Sequence, residues 1–302
     1  MKLRLIFIIT LISNVLFSQS FHDTQGKLEI SNSGQSTYTL PIAMPPSIKD
    51  VGPIINLVYV SGQNGGIAGQ GWNINSISNI TRMSTRQDID GFRDGVDFDV
   101  DDKLSLDGQR LLLKTGVYWA DGSTYETEVQ SNTKIELKGS GGTIYFIVTS
   151  PDGSRSWYGN YGGMNGFDET AFYIVRFEDA NGNFMTYHYA KPYNKSLCIN
   201  EIRFSANTTT NPTPLNKIVF TYKVANRKEN AYIKGIKVEK AYDIGSLYLL
   251  SIVVQGNKDE IFLTKDKNYL ISGAVINTTT GMQIKAPVNL AILKDKEAFT
   301  YG

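Results

Sequence analysis

Four groups of residues offer side chains or backbone that chemistry could use. The first is Glu126 and Glu128, set two apart in the string Ser123-Thr124-Tyr125-Glu126-Thr127-Glu128. In an extended strand this spacing puts both carboxylates on one face and Tyr125, Thr127 and Val129 on the other. Paired carboxylates are raw material for acid and base catalysis, and the same pattern is what any half-buried strand looks like. The second group is Gly65-Gly66-Ile67-Ala68-Gly69-Gln70-Gly71, which follows an apolar run and invites a phosphate-cradle reading. A dinucleotide turn needs G-x-G-x-x-G ahead of a helix, and a phosphate loop needs Lys after its last Gly; here Trp72-Asn73 follows. The segment reads instead as a turn where two backbones approach closely at Gly69 and Gly71, with Trp72 as a core anchor beside it.

The third group is the alternating acidic string Asp97-Phe98-Asp99-Val100-Asp101-Asp102. A calcium loop of the EF-hand type needs Gly at its sixth position and Glu at its twelfth, but Asp102 and Gly108 stand there, so a solvated acidic strand or turn is the simpler reading. The fourth group is His22, His188 and Cys198, the whole complement of histidine and cysteine. Two histidines far apart make neither a triad nor a zinc site. On a strand from Phe184 to Tyr189, His188 shares a face with Thr186, while Met185, Tyr187 and Tyr189 fill the other. Cys198, between Leu197 and Ile199, reads as a small buried apolar residue, and it leaves no intrachain disulfide to form. The sequence therefore assigns no catalytic residue, no metal ligand and no cofactor.

The elements that must position these residues are strands. Ile54–Val60, Thr143–Thr149 and Lys217–Tyr222 are β-branched and aromatic runs bounded by Gly, Pro, Asn or Asp, and few windows carry helical spacing. Asp107-Gly108, Asp121-Gly122, Asp152-Gly153 and Asn181-Gly182 supply hairpin turns where φ must be positive. The segments around Asp152-Gly153 and Asn181-Gly182 share one plan, a polar approach, an Asx-Gly turn and an aromatic exit strand. Asn207–Pro214 is the best loop, read as a long loop within one domain. The reading is all-β, with many short antiparallel strands in meanders and hairpins.

Several strings go beyond composition. Tyr38-Thr39-Leu40-Pro41-Ile42 leads to Gly52-Pro53-Ile54-Ile55-Asn56-Leu57, then Gly69-Gln70-Gly71-Trp72-Asn73-Ile74, with Ile80-Thr81-Arg82 after them. Leu104-Ser105-Leu106-Asp107-Gly108-Gln109-Arg110-Leu111 and Thr124–Glu128 follow in order. Together these resemble the N-terminal domain shared by SpvB-type virulence proteins and the B components of insecticidal toxin complexes, from about Gly34 to about Tyr222. The resemblance implies a structural role for Pro41 and Pro53 as strand punctuation, Gly69, Gly71 and Trp72 at the turn, Arg82, and Leu106, Asp107, Gly108, Gln109 and Arg110 around a hairpin. It implies a non-enzymatic module at the start of a hollow β-sheet shell built partly of Rhs/YD-like repeats. That shell encloses a toxic C-terminal segment and docks through a propeller on a pore-forming subunit. The implied partners are the remaining toxin-complex polypeptide or the C-type and A-type subunits. The family's ADP-ribosyltransferase, which uses a Glu-x-Glu pair, is a separate C-terminal domain, whereas Glu126 and Glu128 lie inside the matching N-terminal region. A chain ending at Gly302 has no room for the propeller, so it reads as an opening module, either a fragment or a free-standing relative.

The ends and the charge complete the expectations. Met1-Lys2-Leu3-Arg4, the short apolar run Leu5–Ile12 and the small residue Ser18 before Gln19 read as a signal peptide over residues 1–18, hence secretion or a cell-surface location. The domain reading is 19–222 for the SpvB-like β domain and 223–302 for further strands of the same module. The chain holds 30 basic and 29 acidic side chains, a balance that gives no long-range attraction to nucleic acid or anionic lipid. The competing readings are a surface adhesin or glycan-binding domain, suggested by the abundant Tyr, Trp and Asn, and an ADP-ribosyltransferase acting through Glu126 and Glu128.

Overall fold

The computed structural model describes residues 26–42, 44–63, 66–69, 71–228, 231–233, 236–238, 243–255 and 269–270; the expected signal peptide lies outside them. The first four strands, β1 (Lys27–Ile30), β2 (Ser36–Pro41), β3 (Asn56–Val60) and β4 (Trp72–Asn75), pair consecutively and antiparallel as one sheet. The chain then lays down β5 (Asn79–Met83), a short helix α1 (Gln87–Asp90), β6 (Lys103–Leu106), β7 (Gln109–Thr115), β8 (Thr124–Thr127), β9 (Lys134–Lys138), β10 (Tyr145–Thr149), β11 (Arg155–Tyr161), β12 (Met164–Asn165) and β13 (Ala171–Glu178). β13 pairs with both β5 and β11, so β5 to β11 and β13 close into an eight-stranded ring. Closure leaves these strands without a free edge.

The sheet also continues outward from β13. It runs through β14 (Asn183–Ala190), β15 (Cys198–Asn207) and β16 (Asn216–Lys228), past a small pair formed by β17 (Ala231–Ile233) and β18 (Ile236–Val238), to β19 (Asp243–Gln255) and β20 (Tyr269–Leu270). β16 and β19 pair along their whole length, from Lys217 with Gln255 to Lys228 with Asp243.

Apolar side chains at alternate positions make the ring solid. Ile80, Leu104, Leu111, Tyr125, Ile135, Leu137, Phe146 and Phe172 are buried within it, and Phe146 meets Phe172 edge to face at 5.0 Å. The same core cluster carries Leu40, Leu57 and Trp72 from the first sheet and Phe204, Ile218, Phe220 and Leu249 from the outward extension. Two polar contacts tie these layers: Asn216 donates to the Pro46 carbonyl, and the Leu249 N–H to the Ile67 carbonyl at 2.6 Å.

The strands fall where the runs place them, with shifted ends. The first begins at Asn56, leaving Ile54 exposed, and the second at Tyr145, because Gly141–Thr143 forms a 3-10 turn. The third extends from Asn216 to Lys228. Turn geometry is the larger correction. Only Asp107-Gly108 puts both residues at positive φ, 48° and 83°, as a two-residue hairpin between twisted strands requires. At Asp152-Gly153 and Asn181-Gly182 only the glycine is left-handed, and the Asp or Asn before it is not. Both are longer turns with one hydrogen-bond signature, Ser150 N–H to Ser154 O with Gly153 N–H to Ser150 O, and Asp179 N–H to Asn183 O with Gly182 N–H to Asp179 O. A third copy joins β1 to β2 through Ser31, Gly34 and Gln35, unmarked in the sequence because Ser33 precedes its glycine.

Candidate functional site

The residues with chemical potential gather on one flank of the ring, on β7, β8 and the long connection from β5 to β6. Strand β8 puts Tyr125 and Thr127 inward and Glu126 outward, as alternation requires, and Glu128, just past its end, is also exposed. Val129 departs from the expected pattern: β8 stops at Thr127, the alternation ends with it, and Val129 is exposed.

Beside the pair, β8 and β9 are registered only through Thr124 with Glu136 and Tyr125 with Ile135. Where they diverge lies an open groove of about 790 Å³, lined by Lys114, Glu126, Glu128, Gln130, Asn132 and Lys134 among others. Each carboxylate already has a cation. Lys114 reaches Glu126 at 3.0 Å, and Arg86 reaches Glu128 at 2.9 Å. Exposed pairs of this kind across neighbouring elements are ordinary strand-surface chemistry and contribute little to stability.

The buried charges lie next to them. Arg82 on β5 donates to the buried Asp102 carboxylate at 2.8 Å and to the Asp99 carbonyl, and its guanidinium lies 4.5 Å from the Trp119 ring centre. Asp102 also accepts from the Asp97 and Phe98 backbone N–H groups, and Trp119 Nε1 donates to the Asp102 carbonyl. Arg110 on β7 is almost wholly buried; it pairs with Asp90 at the end of α1 and donates to the Ser84 carbonyl. Two arginines of the ring thus hold the connection between Met83 and Lys103 at both ends. Buried ions need such partners, because an unpaired one is strongly destabilising; the Nε of each arginine stays buried without a hydrogen bond.

That connection carries the acidic string, and it is an irregular segment, neither strand nor helix past α1. It brings Asp94, Asp97 and Asp99 within 4.8 Å of one another, all exposed. Lost hydration first, then the charges of Asp99 and Asp94, raises the Asp97 carboxyl above its usual range. Asp102 does not join them, since Arg82 and two backbone donors occupy it.

The remaining residues lie elsewhere. Pro41 ends β2 in an exposed position, and Pro53 is buried ahead of β3. Gly69 and Gly71 adopt φ of 128° and 75°, and a Cβ on Gly71 would lie 2.8 Å from the Tyr59 ring and 3.0 Å from the Val60 carbonyl oxygen. Trp72 is buried against Tyr59 and Tyr38, with ring centres 5.4 and 6.2 Å away. Leu106 is half-buried and pairs with Gln109, the exposed first residue of β7, while Asp107 and Gly108 form the exposed hairpin turn. There Asp107 accepts from the Ser78 hydroxyl and the Asn79 N–H. His188 is half-buried on β14 with its Nε2 3.0 Å from the Thr186 hydroxyl; burial, then the Arg203 charge, holds its imidazole below the usual value. Burial, and secondarily the charge of Asp168, pushes the Cys198 thiol up to about 11, which keeps it a thiol.

Sequence reasoning found Arg82, Arg110 and Glu128 but missed their partnerships with Asp102, Asp90 and Arg86. Each pair spans 20 or more residues, and the only trace in the sequence is a charged residue amid apolar neighbours, as at Arg110-Leu111-Leu112. Trp72 and Trp157 are buried and Trp119 is half-buried, so no tryptophan among the described residues offers the open aromatic platform that a glycan-binding surface was expected to show.

A family model described as SpvB, Salmonella virulence plasmid 65kDa B protein, matches residues 30–255. No curated protein matches the sequence. Among solved structures, the Photorhabdus luminescens Tc holotoxin pore aligns at 13% identity and a TM-score of 0.53, covering 84% of this chain and 14% of that one. The crystal structure of TcdB2-TccC3-TEV aligns at 15% identity and a TM-score of 0.50, covering 80% of this chain and 14% of that one. The N-terminal domain of effector protein SpvB from Salmonella typhimurium strain LT2 aligns at 15% identity and a TM-score of 0.47, covering 71% of this chain and 87% of that one. The chain thus spans about a seventh of the length of the Tc structures whose fold it shares.

Proposed function

This chain belongs to the SpvB family, and we propose that it serves there as a non-enzymatic structural module of a secreted toxin-complex protein, part of the wall of a β-sheet shell that encloses or delivers a toxic segment. The observation that carries the reading is one of scale and continuity. Most of this chain shares its fold with about a seventh of a Tc holotoxin chain, and its sheet extends past the closed ring into the paired β16 and β19. A solid closed ring from which a sheet extends suits a wall.

The charge arrangement supports the same reading. Arg82, Asp102, Arg110 and Asp90 hold the fold, and Glu126 and Glu128 form surface ion pairs. In this account residues 1–18 direct export, 19–222 form the module, and 223–302 continue it; β16 runs on through residue 222 as one strand, with a bulge between Thr221 and Tyr222, in support of that continuity. No helix among the described residues is long and apolar enough to cross a membrane.

The test is electron microscopy of the secreted protein recovered through an affinity tag on this chain. A hollow β-rich particle with this module in its wall is the expected result; recovery of the free chain alone, at every stage of culture, would contradict the proposal.

A further inference from the structure

The first sheet ends in β1, and no described residue pairs with its outer edge. All four of its residues are exposed, with Leu28 at 63% and Ile30 at 69%. Exposed edges usually carry charge or are kept short, since their free N–H and C=O groups recruit other strands. β1 is short, but its charges alternate: Lys27 and Glu29 share one face, where they pair with each other, and Leu28 and Ile30 share the opposite face.

That apolar face is continuous with the core. The register sets Leu28 level with Tyr38, Tyr59 and Trp72, so one row runs from a buried tryptophan to an exposed leucine. The hairpin also fixes which backbone groups face outward. Ser31 N–H donates to Gln35 O, and two-residue alternation then makes Glu29 with Thr37, and Lys27 with Thr39, the hydrogen-bonded pairs inside the sheet. The N–H and C=O groups of Leu28 and Ile30 consequently point away from it.

We infer that β1 is a self-complementary edge that takes a second copy of this chain, antiparallel, about a two-fold axis at Leu28. In that register Leu28 opposes Leu28 of the second copy and exchanges both backbone bonds, and Gly26 opposes Ile30. Lys27 opposes Glu29 of the second copy, twice over. The two sheets become one of eight strands, and the row that ends at Leu28 continues into its symmetry mate. Charge complementarity selects this occupant: a Lys-x-Glu strand is its own partner in the antiparallel register centred on the middle residue. A contact this short buries less than the roughly 1,200 Å² of a stable interface, so association is weak, with a dissociation constant of about micromolar or above. The inference stands on β1 alone and does not rest on the shell proposal.

Sedimentation velocity on the full chain over a concentration series tests it. Wild type is expected to shift from monomer towards dimer as concentration rises. Lys27→Glu and Glu29→Lys each place like charges opposite one another and should weaken self-association by about tenfold. Mixing these two variants, or joining both changes in one chain, should restore it. Leu28→Pro removes an outward N–H while leaving the bonds inside the sheet, and should abolish it. Circular dichroism melts establish that every variant is folded. A wild type that stays monomeric throughout, single-charge variants that associate as wild type does, a mixture no tighter than its components, or a Leu28→Pro chain that still dimerises would each overturn the inference.

Discussion

The eight-stranded ring and the four-stranded first sheet contrast in how they end. In the ring every strand has a neighbour on each side, inward residues such as Tyr125 and Phe146 are fully buried, and buried ion pairs hold its longest connection. In the first sheet the apolar row begins at buried Trp72 and finishes at exposed Leu28. The difference separates two situations within one core: the ring is closed on itself, and the first sheet ends, among the described residues, on an unpaired edge.

Breaking the ring's internal charge should produce one of the two largest effects. Arg110→Ala leaves the largely covered Asp90 carboxylate without its cation, and should lower unfolding free energy by about 3 kcal/mol in a denaturant titration. In the first sheet, Trp72→Ala removes the buried end of the row and should cost about 3 kcal/mol or somewhat more. An unchanged melting temperature would remove Trp72 from its anchoring role. Together these two variants ask whether ring and sheet unfold as one unit: matching losses of signal from both parts place them in a single cooperative core, and separate transitions split it.

The exposed glutamates on and just past β8 should respond far less. Glu126→Gln and Glu128→Gln each disturb one exposed ion pair and should change stability by under about 0.5 kcal/mol. They should also leave nicotinamide-cofactor hydrolysis at the wild-type background rate, and a drop in that rate on either change would revive the transferase reading.

The smallest expected effect is a pH dependence from β14. Because the His188 imidazole titrates below its ordinary value in the fold, the unfolded chain takes up the proton first as pH falls. Its contribution is present above about pH 6.5 and is lost as pH falls through the lower folded value. Melts between about pH 7 and 5 should decline less steeply for His188→Gln than for wild type. Parallel declines would assign the slope to other groups.

The all-β class was legible because β-branched runs and Asx-Gly pairs are local signals. The inward places of Tyr125 and Thr127 followed from alternation, and Val129 did not, because a strand's end is set by its neighbour and β9 diverges there. The third copy of the hairpin at Ser31–Gln35 was hidden since its hydrogen bonds, and not its residue types, define it. Closure of the ring was illegible for the same reason: β5 meets β13 across some ninety residues, and no local pattern announces a pairing that distant. In the candidate site, the sequence named both glutamates and both arginines yet paired none of them, as partners are chosen by the tertiary path of the connection between Met83 and Lys103.

The separation of a finished ring from open sheet edges is tested most directly by amide hydrogen exchange, comparing the isolated chain at low concentration with the secreted assembly. The account predicts that β5 to β11 and β13 to β16 are equally protected in both, while the outward amides of β1 and the far end of the extension at β19 and β20 gain protection only in the assembly. Ring strands that become protected only on assembly, with β1 and the far end of the extension unchanged, would contradict it.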